Sequence, residues 1–264
     1  MFLGIDIGSS SSKVAILDND KKLIAKAVVN KGTGTSGVYE ALKMAFSDAD
    51  ITQEDVLYTI VTGYGRITYK NADKQITEIS CHARGATYLM EDVVTIIDIG
   101  GQDAKVIRLN KNGSVANFVM NEKCAAGTGR FLEVMARVLG CQIGELSSLA
   151  KKADGEVSIS SVCTVFAESE VISHLAMGES IENVAKGAHV AIAKRVYGMC
   201  NRVGYAPKVI MTGGVALNGS ILEALGKELG EEVIRAPYPQ MVGAIGAAVF
   251  AYEKWNKKTK KGQE

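Results

Sequence analysis

Asp6 and Asp98 each close a short apolar run and are followed by a glycine, then by a lysine at matched spacing. The two runs are GIDIGSSSSKVAILD (residues 4–18) and IIDIGGQDAKVIRLN (residues 96–110); they pair Asp6 with Asp98, Gly8 with Gly100 and Lys13 with Lys105. A strand that ends in Asp, passes through Gly and returns as a strand exposes backbone N–H groups with no side chain in the way, which suits a phosphate. The carboxylate could hold Mg2+ directly or through water, and Lys13, Lys105 or the serines Ser9, Ser10, Ser11 and Ser12 could meet phosphate oxygens. One such run is also an ordinary hairpin turn; two at matching spacing favour the phosphate reading. The second loop adds Gly101, Gln102 and Asp103. Gln102 and Asp103 could orient a water at a γ-phosphate, which points to hydrolysis rather than transfer, while a plain surface turn is the alternative for Gln102. A third glycine pair, in MTGGVALN (residues 211–218), lies between a strand and a helix candidate. There Gly213, Gly214, Val215 and Asn218 could hold an adenosine by close backbone approach.

A second constellation is made of thiols. NEKCAAGTGRFLEVMARV (residues 121–138) sets Cys124 before small residues and a helical pattern, and SSVCTVFAESEVISHL (residues 160–175) places Cys163 after a strand-like VSIS and before a helical run. A helix N-terminus carries unpaired N–H groups and partial positive charge, which stabilise a thiolate or an anionic cluster. Two thiols cannot fill the four iron positions of a [4Fe–4S] cluster, so a cluster would require a two-fold dimer in which each chain gives both cysteines. On spacing alone the plainer alternative stands: two cysteines without a CxxC knuckle read as small buried side chains.

The elements that must carry these residues follow from periodicity. Each Asp-Gly run reads strand, tight turn, strand, and a turn signal then leads to a third strand candidate, LIAKAVV or SVANFVM, so two related β-meanders open two halves. Helical patterns cover residues 39–46, 80–90, 131–139, 168–177, 181–203, 221–229 and 242–252, with strand candidates at 57–63 and 209–214. This is an α/β layout. The expected organisation is a first lobe of residues 1–92 with a helical return at 240–255, a second lobe at 93–239, and a solvated basic tail at 256–264. With 264 residues, 47% of them hydrophobic, and a net charge of +1, a sizeable core is affordable and no electrostatic footprint points to nucleic acid or an anionic membrane. No apolar stretch suffices for a membrane helix, and Met1 leads straight into a strand, so a cytoplasmic protein is expected. Five scattered cysteines, an odd number, argue against a disulfide framework.

Phosphate loop, phosphate loop and nucleoside loop in that order resemble the actin, Hsp70 and sugar-kinase superfamily. The resemblance implies a two-lobed, ribonuclease-H-like α/β fold with ATP in a cleft between the lobes. More narrowly, IDIGGQDAKVI, NEKCAAGTGRFLEVMA, SSVCTVFAESEVISHL and VIMTGGVALN are together similar to the activators of 2-hydroxyacyl-CoA dehydratases, a group that includes the ATP-binding subunits of benzoyl-CoA reductases. That resemblance implies a homodimeric, oxygen-sensitive ATPase with one bridging [4Fe–4S] cluster held by Cys124 and Cys163. It further implies ATP, ADP and Mg2+ as cofactors, ferredoxin or flavodoxin as electron donor, and an iron–sulfur dehydratase as acceptor. In such a protein, nucleotide contacts from Gly8, Gly100, Gly101 and Gly214 would favour a closed state and move the helices behind the cysteines. A benzoyl-CoA-reductase-like or double-cubane acceptor is an alternative within the same reading. A small-molecule kinase without iron and a filament-forming nucleotide switch are alternatives outside it.

Other residues have plainer readings. Cys81, Cys141 and Cys200 are expected as core thiols and His174 and His189 as hydrogen-bonded helix residues. The run Thr62–Arg66, TGYGR, is expected as a tight turn at a strand end. Glu168 and Glu170 complement the dipole of the helix after Cys163.

Overall fold

The computed structural model describes residues 1–261, which group into two units: residues 1–92, 109–115 and 240 onward, and residues 93–108 with 116–239. In the first unit β1 (Phe2–Ile7), β2 (Ser12–Leu17) and β3 (Leu23–Val29) form an antiparallel meander, followed by α1 (Gly37–Ala49), β4 (Tyr58–Thr62), β5 (Lys74–Gln75) and α2 (Glu78–Leu89). The strand order is β3-β2-β1-β4-β5, with β4 parallel to β1. Every residue of β1 is buried because both faces of the sheet are covered, which explains its unbroken apolar sequence. Leu3, Ile5 and Ile7 share a cluster with Val38, Ala41, Leu42 and Ala45 of α1.

The second unit opens with β6 (Thr95–Ile99), β7 (Ala104–Leu109) and β8 (Val115–Asn121). It continues through α3 (Gly129–Val138), α4 (Leu146–Lys151), α5 (Thr164–Ala176), α6 (Ile181–Val203), β9 (Val209–Thr212), α7 (Gly219–Leu229) and β10 (Val233–Arg235), before the chain returns to the first unit as α8 (Val242–Lys261). Its sheet runs β10-β9-β6-β7-β8, again with an antiparallel partner and a parallel partner beside the central strand. Phe131, Leu132 and Met135 of α3 pack with Ile97, Ile99 and Val106 of this sheet.

One sequence expectation changes, and the structure adds to others. VSIS is not a strand; Val157 and Ile159 instead dock into the core against α6, where a Cβ at Gly187 would run into the Val157 carbonyl. The short elements α4, β5 and β10 carry too little periodicity to be read. The basic run, expected as a solvated tail, continues α8 through residue 261 with residues 257–260 exposed, and 262–264 lie outside the described residues. Helix α8 reaches that far because its second half is anchored. Glu253 pairs with Arg84 and with Lys21 at 3.3 Å, Tyr252 packs edge-on against Phe2, and Trp255 lies against Tyr58. Beyond that, lysine is a good helix former and cations are favoured near a helix C-terminus. Its first half lies close to α2, since a Cβ at Gly246 would strike the Cys81 carbonyl and one at Gly85 the Val242 carbonyl.

Candidate functional site

The register of each meander sets a lysine opposite an aspartate. In the first unit Asp6 pairs with Lys13 across β1 and β2, and Lys13 Nζ lies 3.4 Å from Asp6 Oδ2. In the second unit Asp98 pairs with Lys105 across β6 and β7, and Lys105 Nζ donates to Asp98 Oδ2 at 3.1 Å. The turns match as well: Gly8 N donates to Ser11 O at 3.0 Å, and Gly100 N donates to Asp103 O at 2.9 Å. The loops therefore share one backbone. Lys105 also meets Asp103 Oδ2 at 2.6 Å while only 3% of its side chain is exposed. Gln102 is exposed at the second turn and Ser10 at the first, with Gly8, Ser9, Ser11, Gly101 and Asp103 half-buried. Ser12 is fully buried and donates to the Lys31 carbonyl at 2.8 Å, so its hydroxyl already serves the fold.

Sequence reasoning passed over one further correspondence. Gly63, after β4, has φ 87° and ψ 178°; Gly213, after β9, has φ 86° and ψ 176°. Each follows a buried threonine, Thr62 or Thr212, and each leads into a 3₁₀ turn, residues 64–68 or 214–217. Only glycine fits, because φ is positive and because a Cβ at Gly63 would run into Asp6 Oδ1, while one at Gly213 would strike the Ile99 carbonyl. The shared Thr-Gly after an apolar strand was the signal: TGYGR is the first unit's counterpart of TGGVA.

The loop around Gly213 is firmly built. Thr212 Oγ1 donates to Asp98 Oδ1 at 2.7 Å, and Asn218 Oδ1 accepts from the Ser220 and Ile221 N–H groups to cap α7. Asn218 Nδ2 lies 2.9 Å from His189 Nε2, and His189 Nδ1 lies 2.6 Å from the Ala185 carbonyl. Burial lowers the His189 pKa below its ordinary value, more than these hydrogen bonds offset. A neutral ring that donates from Nδ1 to the Ala185 carbonyl can accept at Nε2 from Asn218 Nδ2, while Asn218 Oδ1, 3.2 Å from the same nitrogen, is served by the α7 N–H groups. Gly214 opens the 3₁₀ turn and Val215 is buried within it.

Cys124 and Cys163 stand close together in the second unit. The Cys124 thiol lies 3.9 Å from the carbonyl of Val162, the residue before Cys163. Cys163 is the N-cap of α5, in extended conformation, and both cysteines are half-buried. The next residue, Thr164, has a buried hydroxyl with no hydrogen-bond partner. Glu170 accepts from Ser160 N at 2.6 Å and His174 Nε2 lies 3.1 Å from the Ser158 carbonyl, tying the Cys163 loop to its own helix. Among the described residues no group of three or more His, Cys, Asp and Glu side chains could hold a metal ion alone.

Residues 3–251 match the BadF/BadG/BcrA/BcrD ATPase family. The chain belongs to that family. It is 53% identical over 256 residues to the activator of lactoyl-CoA dehydratase of Anaerotignum propionicum, covering 97% of this chain and 99% of that protein. It is 49% identical over 253 residues to the (R)-2-hydroxyglutaryl-CoA dehydratase activating ATPase of Acidaminococcus fermentans, covering 96% and 97%. The solved activator of the 2-hydroxyisocaproyl-CoA dehydratase from Clostridium difficile, with bound ADPNP, superposes with a TM-score of 0.95 at 47% identity, covering 99% and 98%. The expected two-lobed α/β fold of the actin and sugar-kinase type is the fold of this family member.

In this BadF/BadG/BcrA/BcrD ATPase Cys81 and Cys200 lie in the interior as expected, whereas Cys141 is only half-buried at the edge of the core. Burial pushes Cys81 and Cys200 up to about 12, so both stay neutral at physiological pH, and burial also raises Cys141. No helix of the described residues is long and apolar enough to cross a membrane.

Proposed function

We propose that the chain is an ATP-hydrolysing activator that hands one low-potential electron to an iron–sulfur acceptor enzyme of the 2-hydroxyacyl-CoA dehydratase class, with a ferredoxin or flavodoxin as its donor. The observation that carries this reading is the approach of the Cys124 thiol to the Cys163 loop, 3.9 Å from its sulfur to the Val162 carbonyl, with both cysteines half-buried. One chain offers two thiolates where a [4Fe–4S] cluster takes four, so Cys124 and Cys163 of two copies would hold one cluster between them. The unpartnered Thr164 hydroxyl fits that group, because it could donate to a thiolate or sulfide. Bound there, the cluster supplies a single electron at low potential. Val162, Val165 and Phe166 flank Cys163 and expose 67%, 66% and 65% of their surface, apolar area that a second copy would cover.

Residues 8–13 and 100–105 would take the phosphates of ATP, and Gly213, Gly214, Val215 and Asn218 the adenosine. Asn218 serves the adenosine loop by capping α7 as well as by any direct contact. Asp6 is the better Mg2+ anchor. Both oxygens of Asp98 are engaged, by Lys105 and Thr212, whereas Lys13 stands farther from Asp6. Gln102, exposed beside the second phosphate loop, would orient the attacking water. The solved relative with bound ADPNP supports nucleotide binding, and the names of the relatives support the acceptor class.

Anaerobic purification with iron and sulfide analysis tests the proposal, on wild type and on Cys124→Ser and Cys163→Ser. About four irons per dimer, lost in either variant, is the expected result. Iron-free protein that still binds ATP after anaerobic reconstitution would overturn it.

A further inference from the structure

The motif TGYGR ends on a cation that the proposed function leaves unused. Gly63 and Gly213 open equivalent turns, and Arg66 lies three residues after Gly63 as Ala216 lies three after Gly213. Ala216 is fully buried, so the turn can be built without a cation at that place. Arg66 is only half-buried.

Its side chain folds back on its own turn. Nη1 donates to the Gly63 carbonyl at 3.0 Å, beside the bond from Arg66 N to the same oxygen at 3.3 Å. The turn is pressed against the residues that lead into the first phosphate loop, since a Cβ on Gly63 would run into Asp6 Oδ1 and the Ile7 carbonyl. Gly65 lies equally close to Thr33, whose N–H donates to the Gly8 carbonyl at 2.9 Å. The interior gives the same placement. Burial raises the Cys81 thiol and a hydrogen bond from Thr62 lowers it; the charges that act on it are Asp6 and Glu78, which raise it further, and Arg66, which lowers it. Asp6 and Arg66 thus stand around one buried sulfur.

A guanidinium has five N–H donors, and the Gly63 carbonyl occupies one of them. Among the described residues no carboxylate pairs with Arg66; Asp6 is met by Lys13 at 3.4 Å instead. An unpaired fork beside a phosphate loop has the chemistry that recognises phosphoryl oxygens in pairs.

We propose that Arg66 is a further catalytic residue, a guanidinium supplied from within the chain that binds the γ-phosphoryl oxygens of ATP during hydrolysis. In that step water adds its oxygen to the γ-phosphorus, and the bond from phosphorus to the bridging oxygen breaks with its electron pair leaving on ADP. One water proton stays on inorganic phosphate and the other goes to solvent. Negative charge spreads over the γ-phosphoryl and bridging oxygens as this happens, and an arginine fork stabilises it. The inference deepens the proposed function and rests on its placement of the phosphates at residues 8–13, but it needs no cluster.

The test uses the full chain with Mg2+, as wild type, Arg66→Gln and Arg66→Lys, with thermal unfolding to show that each variant is folded. ATP hydrolysis is read beside the affinities for ADP alone and for ADP with aluminium fluoride, a mimic of the phosphoryl group in transfer. Arg66→Gln is expected to keep its ADP affinity within about twofold, to lose hydrolysis by about 10³-fold, and to lose the extra affinity that aluminium fluoride gives. Arg66→Lys keeps the charge and a donor for the Gly63 carbonyl but not the fork; it should lose about tenfold in hydrolysis, and it carries the test alone if the glutamine variant does not fold. Hydrolysis within about threefold of wild type in either folded variant would overturn the assignment. So would equal losses of affinity for ADP and for ADP with aluminium fluoride, the mark of a side chain that only braces its turn. A chain that loses hydrolysis as expected yet holds no iron after reconstitution would keep the arginine and sink the electron-donor reading. A chain that holds its cluster while Arg66→Gln hydrolyses ATP like wild type would do the reverse.

Discussion

The Asp6 loop and the Asp98 loop share a register, a turn and a flanking Thr-Gly, yet their charges are arranged differently. Asp6 faces one lysine at 3.4 Å. Asp98 shares Lys105 with Asp103, and Thr212 holds its second oxygen at 2.7 Å. In the first unit the counterpart hydroxyl, on Thr62, is not bonded to Asp6 and lies instead beside the Cys81 thiol. The same backbone is thus braced in one unit and left chemically more open in the other. That difference is what the proposed Mg2+ role of Asp6 rests on, because Asp98 already has both oxygens engaged.

Thiol chemistry should separate the units most widely. Cys81, beneath the Asp6 loop, ionises only near pH 12, so at pH 8 on the order of one molecule in 10⁴ carries the reactive thiolate. Alkylation of the iron-free native protein at pH 8, read by peptide mapping, should modify Cys124 and Cys163 and leave Cys81 untouched until the chain is denatured. Ready labelling of Cys81 in the native state would mean that the first unit is far less closed than described.

Next in size is the loss of a lysine. Lys105→Ala leaves two carboxylates around a buried void, and a destabilisation of about 3–5 kcal/mol is expected in urea unfolding. Lys13→Ala, facing one carboxylate with more solvent access, should cost about 1–3 kcal/mol. Equal losses would erase the contrast between the loops.

The smallest difference concerns the threonines. Thr212→Val removes the partner of a buried carboxylate oxygen and should cost about 1–3 kcal/mol, whereas Thr62→Val replaces a buried hydroxyl that holds no carboxylate by an isosteric methyl and should not lower stability. A Thr62→Val loss as large as that of Thr212→Val would show that Thr62 braces Asp6 after all.

The duplicated meanders could be read from the sequence because strand, glycine turn and strand are local patterns, and Asp6, Asp98, Lys13 and Lys105 recur at one spacing. Most helices were legible for the same reason. Residues 157–160 misled, since β-branched apolar residues suit a buried extended segment as well as a strand, and only the surroundings decide whether a ladder partner exists. The extension of α8 was hidden because its anchors, Arg84, Lys21, Phe2 and Tyr58, lie far away in the chain. TGYGR stayed obscure until its glycine proved to share the backbone conformation of Gly213.

The sequence by itself determined the repeat, the residue types at each loop, Cys163 at the entrance of α5 and the family resemblance, because these are written in short runs; Cys124, expected at a helix entrance, lies four residues before the N-cap of α3 at Thr128. Tertiary structure alone decided that Thr212 holds the second oxygen of Asp98, that Cys124 meets the Cys163 loop, and that Gly129 is bonded to the phosphate turn. Those contacts join segments distant along the chain, and packing and hydrogen-bond satisfaction, which no local pattern encodes, choose among the ways such segments can meet.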